Sequence, residues 1–200
     1  MAQTIESKIK SRIYGKRRGW VFTPKDFFDL GSETAISSCL HRLEEKEFII
    51  RLAHGLYEYP RTHKILGILP PNIEMISEAI AKKFEIDIQP SGAYAANLLG
   101  LSEQVPGKIV FLTNGESKKL KVGNIEINFK KTTPKTMKMA GRISGLVVQA
   151  IKYIGKENIT SQMIELIKKK LDEKDRKRLS LDSKLAPAWI AKIIEDQILK

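Results

Sequence analysis

Few residues in this chain have the types and spacing that chemistry requires. There are three histidines, His41, His54 and His63, and one cysteine, Cys39. No paired carboxylates stand at metal spacing, and HExxH and GxxxxGK[ST] are both absent. Cys39 lacks a histidine and acidic partner set, so no activated nucleophile is expected. The loop Thr113–Ser117 is explained by a hairpin turn, and only Glu116 and Glu126 would be left to support catalysis. The expectation is therefore no enzyme, with catalytic, cofactor and metal residues all none. What is patterned is a set of hydroxyls and cations: Thr34, Ser37, Ser38, His41 and Arg42, then Arg51 and His54, with Lys16, Arg17 and Arg18 upstream. Such groups reach base edges and phosphates, so binding chemistry on nucleic acid is the expected role.

The elements that must position them can be read outward from Gly31–Pro60. Ser32 caps an amphipathic helix from Glu33 to about Glu47. Ala35, Ile36, Cys39, Leu40 and Leu43 form its inward face, which makes Cys39 a packing residue. Phe48–Leu52 and Leu56–Tyr59 read as a hairpin around Ala53-His54-Gly55, with Arg51 and His54 at its tip and Tyr57 and Tyr59 packing it onto the helices. Upstream, Thr4 caps a helix carrying Ile5, Ile9 and Ile13, and Gly15 is read as its stop. Thr23-Pro24 starts a short helix, Pro24–Leu30, that Gly31 closes. Two short helices across a tight turn, followed at once by a hairpin, are the pattern of a winged helix-turn-helix.

The fold class expected is thus α+β: an N-terminal winged helix-turn-helix domain over 1–62, then a second mixed α/β domain over 63–200. Pro60 to Pro71 marks the boundary, and its apolar ILGIL is expected to dock. Asn72 caps a helix to about Phe84. Ile86–Gln89 is extended, and Pro90-Ser91-Gly92 turns into an alanine-rich helix ended by Gly100. KIVFLTNG, KKLKVGN and IEINFKKT read as a small sheet with turns at Asn114-Gly115 and Gly123-Asn124. C-terminal helices over Gly141–Ile154, from Thr160 or Ser161, and over Pro187–Leu199 complete the domain, with the charged KKKLDEKDRKR read as a solvated helix end or loop.

A net charge of +12 and a pI near 9.7 indicate a polyanionic partner. Residues 1–60 contribute +2 and residues 61–200 contribute +10. Lys108–Arg142 alone holds nine Lys/Arg against Glu116 and Glu126. Lys118, Lys119, Lys121, Lys130, Lys131, Lys135 and Lys138 could therefore form one secondary basic surface, for DNA, RNA or a protein. The sheet offers no exposed aromatic platform for stacking single strands, since Phe111 and Phe129 fall in apolar patterns. MAQTIESKIK has no signal-peptide core and no apolar run spans a bilayer, so a cytoplasmic protein with no membrane partner is expected.

The motif Leu40-His41-Arg42-Leu43, Phe48-Ile49, Arg51 and Gly55-Leu56-Tyr57, with the segment Ser91–Leu101, resembles the AbiEi-type antitoxins. These are transcriptional repressors of type IV toxin–antitoxin (abortive infection) systems. One departure is that Glu47-Phe48 stands where the family has a glycine before the wing. The resemblance implies that the first domain binds operator inverted repeats in double-stranded DNA and represses its own operon. It also implies that the second domain supports self-association on DNA. A nucleotidyltransferase-like toxin would be the functional partner, counteracted without a stable complex. The alternative is a winged-helix nucleic-acid or protein-binding module without antitoxin activity.

Overall fold

In the computed structural model, the hydroxyl of Thr4 accepts the Ser7 N–H at 3.2 Å and opens the first helix, α1 (Ile5–Lys16). The structure describes residues 4–104, 106–123 and 125–200; Asn124 of the expected second turn, and the first three residues, lie outside them. Ile9 and Ile13 are fully buried. The helix runs past Gly15, which was expected to stop it. The reversal comes at Arg17, with φ +69, and brings the Gly19 N–H onto the Tyr59 carbonyl at 2.6 Å.

A short strand, β1 (Val21–Phe22), follows, then a single 3-10 turn over Pro24–Phe27. Thr23 and Asp26 close its start reciprocally, and it ends at Phe27, short of the expected helix to Leu30. Phe27 is buried and Phe28 is exposed. Helix α2 (Glu33–Glu45) starts on Ser32, whose hydroxyl accepts the Ala35 N–H. It ends two residues early, and Glu47 turns the chain with φ +54. Strands β2 (Ile50–Ala53) and β3 (Leu56–Glu58) form the hairpin, and the sheet order is β1-β3-β2, all antiparallel.

One face of this sheet joins the helices through aromatic contacts. Phe22 packs edge-on to Phe27 at 5.4 Å, and Tyr59 meets Tyr14 at 5.9 Å and Phe48 at 5.2 Å. Tyr57 and Tyr59 are both buried, as the strand pattern suggested. The opposite face carries Val21, Leu56 and Glu58, all buried. Helix α3 (Ile73–Phe84) packs against β1, burying Ile76 and Ile80. That packing sets the division of the chain: the two compact units are Met1–Glu85 and Ile86–Lys200, so α3 belongs to the first unit and not to the second, as the expected boundary after residue 62 had it. Within the first unit, between β3 and α3, β4 (Thr62–His63) and β5 (Gly67–Ile68) make a small hairpin. Its ILGIL segment does not dock. Ile65, Leu66 and Ile68 are 87%, 71% and 60% exposed.

The second unit has a four-stranded sheet of β6 (Ile88–Ser91), β7 (Lys108–Thr113), β8 (Lys118–Val122) and β9 (Ile125–Lys131), in the order β6-β7-β9-β8. β9 lies parallel to β7 between it and β8. The loop at Asn114-Gly115 is therefore not a hairpin turn; it carries the chain across to the outer strand position. The Asn114 side chain fixes it by accepting the Asp87 N–H at 2.9 Å. Ile109, Phe111, Ile127 and Phe129 fill one face, with Tyr94 of α4 (Gly92–Leu98) against Phe111 at 5.6 Å.

After a single turn, α5 (Pro134–Met137), a helical layer is built from α6 (Ile143–Ile154), α7 (Ser161–Lys170), α8 (Glu173–Asp182) and α9 (Ala188–Ile193). Val147, Ala150, Ile151, Ile190 and Ile194 lie at its core beside Ala95 and Ala96. The charged stretch covers the end of α7 at Lys168–Lys170, a break at Leu171-Asp172 and the first turns of α8, whose start Asp172 and Asp175 cap reciprocally. It is a helix end as expected, with a second helix beginning inside it. Buried Asp182 at the end of α8 accepts Ser144 Oγ at 2.6 Å, Arg142 Nη1 at 3.2 Å and Arg178 Nε at 3.3 Å. The architecture is mixed α+β with small sheets and C-terminal helices. Among the described residues no helix is long and apolar enough to cross a membrane.

Candidate nucleic-acid interface

The 3.6-residue period of α2 turns Ile36, Cys39, Leu40 and Leu43 inward and leaves Thr34, Ser37, Ser38 and His41 exposed on the opposite face. Small hydroxyl side chains over its first turns allow close approach to a partner. The free N–H groups and positive dipole end of the helix face the same region. Thr34 Oγ1 lies 3.2 Å from the capping Ser32 Oγ, so the cap shares part of its hydrogen bonding.

The β2–β3 hairpin brings two further expected residues to this helix. Arg51 is exposed on β2 opposite Tyr57, and His54 occupies the two-residue tip with Gly55. Gly55 has φ +64, a conformation that favours glycine; a Cβ there would lie 2.9 Å from Lys83 Nζ, the movable end of a long side chain. Ser37, Arg51 and His54 line one groove of about 520 Å³ with Lys25 and Lys83. Glu33 is its single carboxylate. Burial pushes the Tyr57 phenol up, keeping it neutral at the floor of the groove.

Other expected residues are placed differently. Arg42 sits at the edge of the α2 face, 4.0 Å from Glu6, a carboxylate also bound by Lys10 at 2.8 Å and Lys46 at 3.4 Å. The Lys10 hydrogen bond, reinforced by these charges, holds the Glu6 carboxyl below the usual glutamate range. His41 stands 3.7 Å from both Glu44 and Glu45, which dilutes any positive charge it carries. The Lys16-Arg17-Arg18 run does not reach the groove. Arg18 donates to the Pro60 carbonyl at 2.8 Å and lies over the Tyr59 ring at 4.9 Å, while Lys16 borders a separate depression with Trp20 and Asp26.

In the second unit the seven lysines do not form one surface. Strand alternation puts Lys119, Lys121 and Lys130 on the open face of the sheet, joined by Lys108, which pairs with Glu126 in the β7–β9 register. Lys118 and Lys131 fall on the opposite side, and Lys135 and Lys138 lie on and after α5. Glu126 accepts from Asn128 at 2.9 Å, and that bond together with Lys108, Lys119 and Lys121 holds its carboxyl low. Among the described residues, no group of three His, Cys, Asp or Glu side chains could hold a metal ion. Cys39 is buried, and desolvation raises its thiol pKa.

A family model described as a family of unknown function, DUF6088, matches residues 5–179. The chain belongs to that family. No curated protein matches this DUF6088 member. The crystal structure of the RV2827C protein from Mycobacterium tuberculosis is similar over 98% of this chain and 78% of that one, at 14% identity and a TM-score of 0.48.

Lys25 and Lys83 were missed in the sequence for different reasons. Lys25 follows Pro24 in what read as a short buried helix, where nothing marked its side chain. Lys83 closes α3, which the proline-rich boundary had assigned to the other domain. The amphipathic period of α3 concealed it further, because Lys83 lies three residues after Ile80 and seven after Ile76, on the inward stripe, whereas Lys82 lies off it.

Proposed function

We propose that residues 4–85 form a winged helix-turn-helix that reads double-stranded DNA. The exposed face of α2 enters the major groove, and the β2–β3 hairpin lies on the adjacent backbone. The observation that carries this reading is the convergence of Ser37 on α2 with Arg51 and His54 on the hairpin in one groove. Ser37, Ser38 and His41 are the base-reading groups, with Thr34 at the helix start. Arg51, His54, Lys25 and Lys83 meet phosphates, as hydroxyls and cations of this kind do.

The biological role that fits is a cytoplasmic transcriptional repressor acting on its own operon. The open lysine face of the second unit adds hold on the polyanion. The resemblance to AbiEi-type antitoxins extends the proposal to neutralising a nucleotidyltransferase-like toxin. Co-expression with the product of an adjacent reading frame tests that extension: rescue of growth supports it, and no rescue leaves a repressor alone. DNA reading itself is tested by gel-shift titration of the full chain against its own upstream region. A salt-sensitive, sequence-preferring complex is expected, and equal affinity for any duplex would sink the reading.

A further inference from the structure

The groove between α2 and the β2–β3 hairpin holds one side chain that neither phosphate contact nor the core uses. Phe27 and Phe28 are neighbours at the end of the capped turn that starts at Thr23, so only one of the two rings can face inward. Phe27 does. It is fully buried, edge-on to Phe22 at 5.4 Å and to Trp20 at 5.9 Å. Phe28 is turned out into the groove at 41% exposure, and its ring takes no part in that aromatic cluster among the described residues. The other exposed side chains of the groove are polar: Lys25, Glu33, Ser37, Arg51 and His54. Tyr57, the second ring lining it, is only 7% exposed.

From this placement we propose that Phe28 contacts the C5-methyl group of a thymine in the major groove, adding a thymine requirement to the site that α2 reads. The inference rests on the DNA reading proposed above and names a further residue that sets its specificity. Base edges in the major groove present hydrogen-bond donors and acceptors, and the thymine methyl is their one apolar group. The cations and Ser37 satisfy phosphates and polar edges, whereas a phenyl ring has no hydrogen bond to offer either. Seated in the same groove as Ser37, the exposed ring of Phe28 complements the methyl. The capped turn also holds Phe28 in place before DNA arrives, because Phe27 beside it is locked in the core.

Deoxyuridine lacks only the C5-methyl group of thymidine, so it isolates this contact. The full chain is titrated by anisotropy against its own upstream duplex and against versions in which each thymine in turn is replaced by deoxyuridine. At the contacted thymine, wild type should bind about fourfold more weakly to the uracil duplex, the worth of one buried methyl group. Phe28→Ala should melt like wild type, since the ring is exposed, and should bind the two duplexes equally. Phe28→Leu keeps an apolar contact and should retain most of the difference. A Phe28→Ala variant that still discriminates overturns the assignment. A wild type that prefers its upstream duplex but has no uracil-sensitive position, as when the ring lies on deoxyribose, overturns this inference alone. No preference for the upstream duplex over an unrelated one overturns it together with the DNA reading.

Discussion

Lys83 Nζ donates to the His54 carbonyl oxygen at 3.0 Å, tying the tip of the β2–β3 hairpin to the last turn of α3. Its position explains why a hairpin of so few residues holds a defined place beside α2. Replacing Lys83 by Met keeps most of its stem and removes both the bond and the charge. Amide exchange at Ala53–Leu56 should then accelerate, and duplex affinity should fall by about 1 kcal/mol or more. Hydrogen exchange and anisotropy titration check the two halves; unchanged exchange at the tip would remove Lys83 from this role.

Residues of the interface should separate by what they read. His41→Ala should cost about 1–3 kcal/mol against the preferred site and relax sequence preference, as loss of a base contact does. Arg51→Ala should weaken all duplexes alike and reduce the salt slope by about 1. Arg42→Ala should have the smaller effect of the two α2 substitutions, since Arg42 is turned toward Glu6. Titrations against matched and scrambled duplexes at several salt concentrations separate these outcomes.

Glu47 holds a left-handed conformation, φ +54, at the end of α2. For a residue with a Cβ this costs roughly 1–2 kcal/mol, and glycine adopts it freely. Glu47→Gly should therefore stabilise the folded chain by about 1 kcal/mol in urea denaturation. The resemblance places a glycine at this point, and the backbone keeps the shape that glycine would favour. No gain in midpoint would contradict the conformational argument.

Glu58 is 1% exposed on the central strand of the first sheet, and burial raises its pKa against the opposing pull of Arg61. Its Oε1 and Arg61 Nε are buried with no hydrogen-bond partner among the described residues. A carboxyl with a raised folded pKa binds protons better folded than unfolded. Its contribution to stability thus falls as pH rises from the ordinary glutamate value through the raised folded value. Glu58→Gln should remove that decline, so its advantage over wild type should grow across the window and level off above the raised folded value. Paired melting curves at several pH values measure this difference; an advantage that shrinks with rising pH would contradict it.

Much of the first unit was legible because its signals are local. Ser32 caps α2, Ile36–Leu43 supply one buried stripe, and Ala53-His54-Gly55 reads as a tight turn, of which Ala53 proves to pair with Leu56. What was illegible depended on contacts distant in sequence. Gly15 looked like a helix stop, but Gly19 meeting Tyr59 delays the reversal to Arg17. Arg18 looked like a phosphate contact until Pro60 and Tyr59 engaged it. The lysines after Lys118 looked continuous because charge runs hide strand alternation, and β9 inserts between β7 and β8. The apolar ILGIL segment suggested docking within the chain, yet its residues point outward at the tip of β4–β5.

The most direct test of the central claim compares the full chain with a Ser37→Ala/His41→Ala variant by fluorescence anisotropy, on the chain's own upstream duplex and on an unrelated one. Wild type should prefer the upstream duplex by about 10³-fold or more. The variant, folded as wild type by its thermal transition, should lose most of that preference and keep its salt-sensitive background binding. Equal wild-type affinity for both duplexes, or a variant with undiminished preference, would contradict that claim.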